Sequence, residues 1–282
     1  MRYKVSLIVA TFGRYKELDK FILSITKQEF NLSEIEIVIV DQNDILDITP
    51  LVDQYKDYFA IQHLKTNIKS SSSGRNLGII HSRGEIISFP DDDCLYYADT
   101  IKTIFELFDR DDNLQMAMGR IYDRKNNKNI MRKWKNYSFK ITEINFFMIG
   151  SAITISCRKH NIFFDEDFGV GKYFGGHEES DFIIKHIYKG LKIYYFPDIQ
   201  VWHHELNADV MNFRKIYSYG LGFGAFCKKY FKLYFAILFM SSICFHLFHM
   251  ALSMILFDRV SVVKRFLSIR SRIHGFVQYE RK

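Results

Sequence analysis

Three acids in a row, Asp91, Asp92 and Asp93, follow an apolar run of Ile86, Ile87 and Phe89 and the proline that closes it, Pro90. A run of this kind bounded by proline reads as a buried strand. In an extended chain alternate side chains share a face, so Asp91 and Asp93 are expected on one side and Asp92 on the other. Two carboxylates at a strand's C-terminal end make a hard-oxygen site, suited to Mn2+ or Mg2+ carrying a diphosphate. Without a cation the three charges repel one another. Taken alone, the triplet also fits an acidic surface turn or a helix N-cap. A second acidic group, Glu178, Glu179 and Asp181, ends the glycine-rich stretch 169–181 and opens a helix expected over 181–189. The helix dipole favours acids there, so capping and service as a carboxylate base are both open. His203 and His204 follow a strand and leave structural and metal-contacting roles open.

These groups need a frame. Residues 3–10 read as a strand, 11–14 (Thr-Phe-Gly-Arg) as a turn, and 16–28 as a helix through Leu18, Phe21, Ile22 and Ile25. The stretch 34–40 (EIEIVIV) reads as a second strand ending at Asp41. Strand, helix, strand within about forty residues predicts a parallel βαβ unit with a right-handed crossover. Further along, 51–59 reads as a helix, 60–64 as a strand and 75–82 as a short helix closed by Gly84. A helix over 99–108 and strands over 115–122, 153–156 and 192–196 follow, the last stopped by Pro197. The basic stretch 123–135 reads as a loop, either plainly solvated or facing an anionic acceptor or lipid.

In open α/β sheets, ligands bind off the carboxyl ends of the strands. The polar points expected there are Thr11 with Arg14, Asp41 with Gln42, and Asp91 with Asp93. Neither GxGxxG nor GxxxxGK[ST] occurs, which argues against a Rossmann dehydrogenase and a P-loop NTPase and leaves phosphate binding to a cation.

With 48% hydrophobic and 25% charged residues, the 282-residue chain is globular, one large domain or a domain with an appendage. Its four cysteines lack metal-type spacing and read as reduced thiols of a cytosolic setting, and the apolar start at 5–10 is too short for a signal peptide core. The net charge of +7 gathers toward the end, where residues 258–282 hold seven basic and two acidic side chains. That tail follows 233–257, a 25-residue run without Lys, Arg, Asp or Glu. The run is long enough to cross a bilayer. His246, His249, Ser241, Ser242 and Ser253 interrupt it, and both its flanks are basic. A re-entrant hairpin or two interfacial helices therefore fits better than a span, with a buried helical pair as the soluble alternative. No nucleic-acid-reading module precedes the basic tail, so no nucleic-acid partner is expected.

In this order, SLIVATFGR, EIVIVDQND, SSSGRNLGIIHSRGEIISFPDDDC, GGHEESDF and YYFPDIQVWHH resemble the motifs of family 2 glycosyltransferases of the GT-A fold, over about residues 5–203. The tail resembles that of membrane-associated members that build surface polysaccharides. The resemblance implies a mixed, mainly parallel α/β sheet flanked by helices over 1–210, and a helical, membrane-associated segment over 211–282. It implies a nucleoside-diphosphate sugar donor, a saccharide or lipid-linked acceptor, and a place on the cytoplasmic face of the membrane. Asp91 and Asp93 would hold Mn2+ or Mg2+, with His203 as a further contact. Thr11, Arg14, Asp41, Gln42, Arg75, Asp91 and Asp92 would line the nucleotide-sugar pocket. Glu179 would act as general base and Asp181 would meet the acceptor. Two departures stand out. Gln42 replaces an acid that often reads a uracil ring, leaving dTDP and GDP open beside UDP. Glu179 replaces the usual aspartate, leaving Glu178, Glu179 and Asp181 as rivals for the base. A nucleotidyltransferase on a related sheet and a non-catalytic membrane-bound sugar-nucleotide binder are the alternatives.

Overall fold

The computed structural model describes residues 3–204 and 212–280. Arg281 and Lys282 of the basic tail, and the expected domain boundary at 210/211, lie outside the described residues. The chain forms two compact units. The first runs to Phe164 and resumes at Phe182, and the second joins Asp165–Asp181 to the C-terminal helices. The segment carrying Glu178, Glu179 and Asp181 thus groups with those helices, whereas the sequence reading placed it with the sheet.

The first unit is a ten-stranded mixed sheet. Strands β1 (Tyr3–Thr11), β2 (Ile35–Asp41), β3 (Ala60–Lys65) and β4 (Gly84–Ser88) pair in parallel in the order β3-β2-β1-β4. The crossovers are helices α1 (Lys16–Ile25), α2 (Thr49–Tyr55) and α3 (Ser71–His81), as the βαβ pattern predicts. In α1 the apolar positions Leu18, Phe21, Ile22 and Ile25 are all buried. Beyond β4 come β5 (Cys94–Tyr96), α4 (Thr100–Arg110), β6 (Leu114–Asp123), β7 (Lys128–Asn129), β8 (Phe139–Lys140), β9 (Ile155–Arg158), α5 (Glu178–Tyr188) and β10 (Lys192–His203). The sheet continues β4-β9-β6-β10-β5, with β6 and β10 parallel and the shorter pairings antiparallel. Part of the basic loop folds back, because β7 pairs with β6.

Three expectations in this unit shift. Gly84 opens β4 instead of closing a helix, its N–H donating to Ser6 Oγ at 2.8 Å. Pro197 does not stop β10, because the ladder to β6 shifts register between Tyr195 and Gln200 and the missing N–H falls within that irregularity. Asp91–Asp93 are not extended. The Cys94 N–H donates to Asp91 O at 3.3 Å, closing a turn that ends the alternation of side chains.

Far from the strands' carboxyl ends, buried Glu36 ties the parallel strands together. It accepts from Ser6 Oγ (2.6 Å), Gln62 Nε2 (2.7 Å), and the backbone N–H and Nε of Arg83 (2.7 and 2.6 Å). Burial pushes its carboxyl up, but these donors outweigh burial and hold it below the ordinary glutamate range.

The second unit is built on α6 (Phe213–Lys229), α7 (Leu233–Ile255) and α8 (Arg259–Gln278). The glycine-rich stretch 217–224 lies inside α6 and serves as a helix-packing element. Its glycines let α6 and α8 approach backbone to backbone. A Cβ on Gly224 would sit 2.0 Å from Arg272 O, and one on Gly275 2.1 Å from Leu221 O. The apolar run is one continuous helix, α7, and is not broken into the two segments that a hairpin or a helical pair needs. It is the one described helix long and apolar enough to cross a membrane.

Candidate active site

Strand pairing assembles the site in the first unit. β5 begins directly after Asp93 and pairs antiparallel with the end of β10, placing Cys94 opposite His203. The two histidines are thereby brought to Asp93. His203 Nε2 lies 3.2 Å from Asp93 Oδ1, and His204 Nδ1 3.8 Å from Asp93 Oδ2. His203 Nδ1 sits 2.7 Å from the His204 carbonyl, which can only accept, so that nitrogen carries a proton and Nε2 faces the carboxylate. The ligand atoms of Asp93, His203 and His204 lie within 4.8 Å of one another and could hold one cation. One carboxylate with two imidazoles suits Mn2+ better than Mg2+, which favours all-oxygen sets.

The turn divides the triplet between two arginines. Asp91 accepts from Arg75 Nη2 at 3.0 Å and is not one of the three clustered ligands. Asp92 accepts from Thr11 Oγ1 (2.7 Å) and Arg14 Nη1 (2.8 Å). Asp93 pairs with Arg14 as well as with the histidines. Contrary to the alternation argument, Asp92 and Asp93 share Arg14, and Asp91 stands apart on Arg75. Burial pushes the Asp92 carboxyl up to about 6, against the pull of Arg14 and Thr11. Burial also raises Asp93, but the His203 hydrogen bond and the charges of His203 and Arg14 leave it below the usual range.

Behind the turn, Phe89, Phe164 and Phe182 pack as a cluster, with Phe164 stacked on Phe182 at 4.2 Å. Asn76 fixes Phe164 by accepting from its N–H (2.8 Å) and donating to its carbonyl (3.0 Å). Arg75, next in sequence to Asn76, lies 5.5 Å from the Phe164 ring centroid.

At the neighbouring strand ends, Thr11 pairs with Asp41 in the β1–β2 register. Asp41 is fully buried and accepts from the Asn43 backbone N–H (2.9 Å) and side chain (2.7 Å), with His63 Nε2 at 2.9 Å. The buried Gln42 amide accepts from the Ser70 N–H at 2.8 Å and donates to the Ser70 carbonyl at 3.3 Å. It holds the approach to α3. A cleft of about 440 Å³, lined by Arg14, Glu17, Lys20, Asp93, Trp202 and His204, opens beside the triplet.

The second unit distinguishes the three remaining acids. All lie in the first turn of α5. His177, just before it, adopts the left-handed backbone (φ 67°), with its ring stacked on Phe226 at 5.8 Å. Burial lowers that imidazole to about 3, so it is neutral. Asp181 is fully buried, accepts from Tyr230 Oη at 2.6 Å and pairs with Lys229, which also holds Asp165 at 2.5 Å. Glu178 is buried, whereas Glu179 keeps partial solvent access. His204 had a structural or metal-contacting role left open by the sequence, and Lys229 and Tyr230 had no part in the site. The doubled histidine was a signal for the first; nothing local marks the other two, which lie about fifty residues from Asp181.

The family model for glycosyl transferase family 2 matches residues 6–170, more than half of the chain. TarP of Staphylococcus aureus, a poly(ribitol-phosphate) beta-N-acetylglucosaminyltransferase, is 27% identical over 119 residues, 42% of this chain and 36% of that one. The GalNAc(5)-diNAcBac-PP-undecaprenol beta-1,3-glucosyltransferase of Campylobacter jejuni is 34% identical over 106 residues, 36% of this chain and 34% of that one. These matches span about a third of each relative's length. The crystal structure of S. aureus TarS 1-349 in complex with UDP-GlcNAc superposes with a TM-score of 0.59 at 18% identity, covering 78% of this chain and 66% of that one. The mannosyltransferase PcManGT of Pyrobaculum calidifontis, in complex with GDP-Man and Mn2+, gives 0.56 at 13% identity, covering 98% and 74%. At these identities the likeness establishes the fold, which is of the GT-A kind.

Proposed function

The chain belongs to glycosyl transferase family 2, and we propose that it moves a sugar from a nucleoside-diphosphate sugar to a saccharide or lipid-linked acceptor in surface-polysaccharide synthesis. The observation that carries this reading is the convergence of Asp93, His203 and His204 at the carboxyl ends of the sheet strands. UDP leads among the donor nucleotides because the TarS complexes hold UDP-GlcNAc and UDP, and GDP follows from the PcManGT complex.

Asp93, His203 and His204 would hold Mn2+, the cation named in the PcManGT complex. Bound there, it would supply Lewis-acid neutralisation of the leaving diphosphate. The protein's own groups do the rest. Arg14 and Thr11 hold Asp92 and fix the turn that aims Asp93. Arg75 holds Asp91 apart from the cluster. Glu179, the partly accessible acid of its segment, takes the proton from an acceptor hydroxyl, which attacks the anomeric carbon from the face opposite the leaving group. A single displacement of this kind inverts the anomeric centre. Asp181, closed in by Lys229 and Tyr230, positions the start of α5 and takes no proton.

Thermal stabilisation of the full-length chain by UDP, GDP, dTDP and CMP, with and without Mn2+, tests the donor site. A ligand at 100 times its Kd adds about 2.7 kcal/mol to stability. The expected result is Mn2+-dependent stabilisation by one nucleoside diphosphate, abolished in Asp93→Asn. Equal stabilisation of wild type and variant would remove Asp93 from the site.

A further inference from the structure

The polar interruptions of α7 all but disappear from one of its faces. Ser242 accepts from Arg272 Nε at 2.8 Å, His246 Nδ1 lies 3.4 Å from Arg265 Nη1, and Ser253 donates to the His249 carbonyl at 2.8 Å. Phe239 meets Phe276 at 4.7 Å. The inner face of α7 is therefore the face that packs on α8, and two arginines of α8 lie against the middle of it. The opposite face is a stripe of Leu233, Ile237, Met240, Leu247, Phe248 and Ile255, all exposed, with the neighbours Leu247 and Phe248 flanking its midline and the other steps three, four or seven residues long, which keeps them on one side. Phe248 is 67% and Ile255 71% exposed. The stripe runs the whole helix, about 34 Å at 1.5 Å per residue.

What covers this stripe follows from charge. From Lys228 to Glu280 there are eight basic and two acidic residues. Lys228 and Lys232 precede α7, with Lys229 turned inward to Asp165 and Asp181, and Arg259, Lys264 and Arg265 follow it. An apolar face with basic groups at both ends complements an anionic bilayer surface. A crossing does not fit, although the length would allow it. α8 runs beside α7 and would be drawn in with it, placing Arg265 and Arg272 at hydrocarbon depth, where charge is costly. The positive-inside rule likewise keeps both basic flanks on one side.

We propose that α7 lies flat in the headgroup region of an anionic membrane, outward stripe toward the acyl chains and α8 above it, and does not cross the bilayer. At the turn between α7 and α8, a cavity of about 410 Å³ lined by Met254, Phe257, Val262, Val263 and Arg259 gives an acyl chain a seat beside a cation. This attachment is independent of the sugar chemistry.

Cys244 makes the test direct, since it is the exposed one of four cysteines and sits at the middle of α7. An environment-sensitive fluorophore is placed on it in the full-length chain. It is also placed on Leu233→Cys and Ile255→Cys in a Cys244→Ser background. Vesicles of phosphatidylcholine with phosphatidylglycerol are compared with phosphatidylcholine alone, each with lipid quenchers at shallow or deep acyl positions. The expected result is a blue shift on the anionic vesicles at all three positions, with the shallow quencher the stronger at each. Phe248→Asp should lower partitioning by about tenfold or more, from the loss of one buried ring. Lys232→Gln or Lys264→Gln should lower it about fivefold. Deep quenching at Cys244 with shallow quenching at both ends would mean a crossing and overturn the proposal. So would an absence of any shift on vesicles together with a dimer in solution, because a second copy would then cover the stripe. Nucleotide stabilisation measured on the same samples reports the donor site separately.

Discussion

Asp181 and Glu179 are two residues apart and have opposite surroundings. Asp181 is enclosed with a lysine and a tyrosine, whereas Glu179 retains access to water. A base must reach a substrate proton, so replacement of the two should fail in different ways. Glu179→Gln should lower turnover by about 10²- to 10⁴-fold with little change in melting temperature. Asp181→Asn leaves Lys229 with a buried charge and one carboxylate fewer. It should cost about 3–5 kcal/mol of stability, the usual result of removing one partner from a buried pair. Steady-state rates beside denaturant unfolding of both variants separate the roles. Near-normal turnover in Glu179→Gln would reject it as the base. The metal set divides in a similar way. His204→Ala should weaken the Mn2+ dependence of nucleotide stabilisation by about 10- to 100-fold in apparent metal affinity, while Asp91→Asn, which touches Arg75 rather than the cluster, should leave it nearly unchanged.

Among the elements, the four parallel strands depend on one buried carboxylate. Glu36 on β2 takes donors from β1 through Ser6, from β3 through Gln62, and from Arg83 just ahead of β4. Hydrogen bonds to a charged group are worth about 1.5–3 kcal/mol, so Glu36→Gln should cost about that much. The pH dependence has a fixed sign. Because the folded carboxyl lies below its unfolded value of about 4.3, the unfolded chain binds more protons between the two. The contribution is complete above that value and is lost as pH falls through the folded one. Urea unfolding at neutral and acid pH should therefore show a gap between wild type and Glu36→Gln that narrows on acidification, and a constant gap would contradict the account. The strands themselves were legible, since 7–9 (LIV) and 37–40 (IVIV) are short apolar, mostly β-branched runs of the kind a buried strand uses. What escaped the sequence were features set by partners. Pro197 sits in β10 because a register shift absorbs it. Gly220 and Gly224 face α8 and Gly222 faces Gly175 and Gly176, partners that no local pattern names. The acids of 91–93 diverge because the chain turns to start β5. The grouping of Asp93 with His203 and His204 then depends on an antiparallel pairing between segments about a hundred residues apart.

For the molecule as a whole, the sequence invites a cut between residues 210 and 211, with a transferase before it and a membrane appendage after it. The contacts of the 165–181 segment argue against that division. Asp165 and Asp181 are both held by Lys229, and Phe168 and Phe174 pack on Tyr279 at 5.7 and 5.6 Å. Gly175 and Gly176 face Ser218 and Tyr219, and His177 stacks on Phe226. Every one of these partners lies in α6 or beyond it. The segment that sets the start of α5, and with it Glu179, has its ordering partners in the C-terminal helices, while Asp93, His203 and His204 have theirs in the sheet. A chain ending at residue 206 should therefore keep Mn2+-dependent stabilisation by a nucleoside diphosphate and lose transfer by at least about 10²-fold, the lower range for loss of a general base. The full-length Phe248→Asp variant, assayed on a soluble acceptor, should retain turnover, because its side chain faces away from α8 and from this segment. Comparison of the two separates loss of the ordered segment from loss of the membrane. Transfer at near full rate by the shortened chain would show that residues 165–181 order without their helical partners.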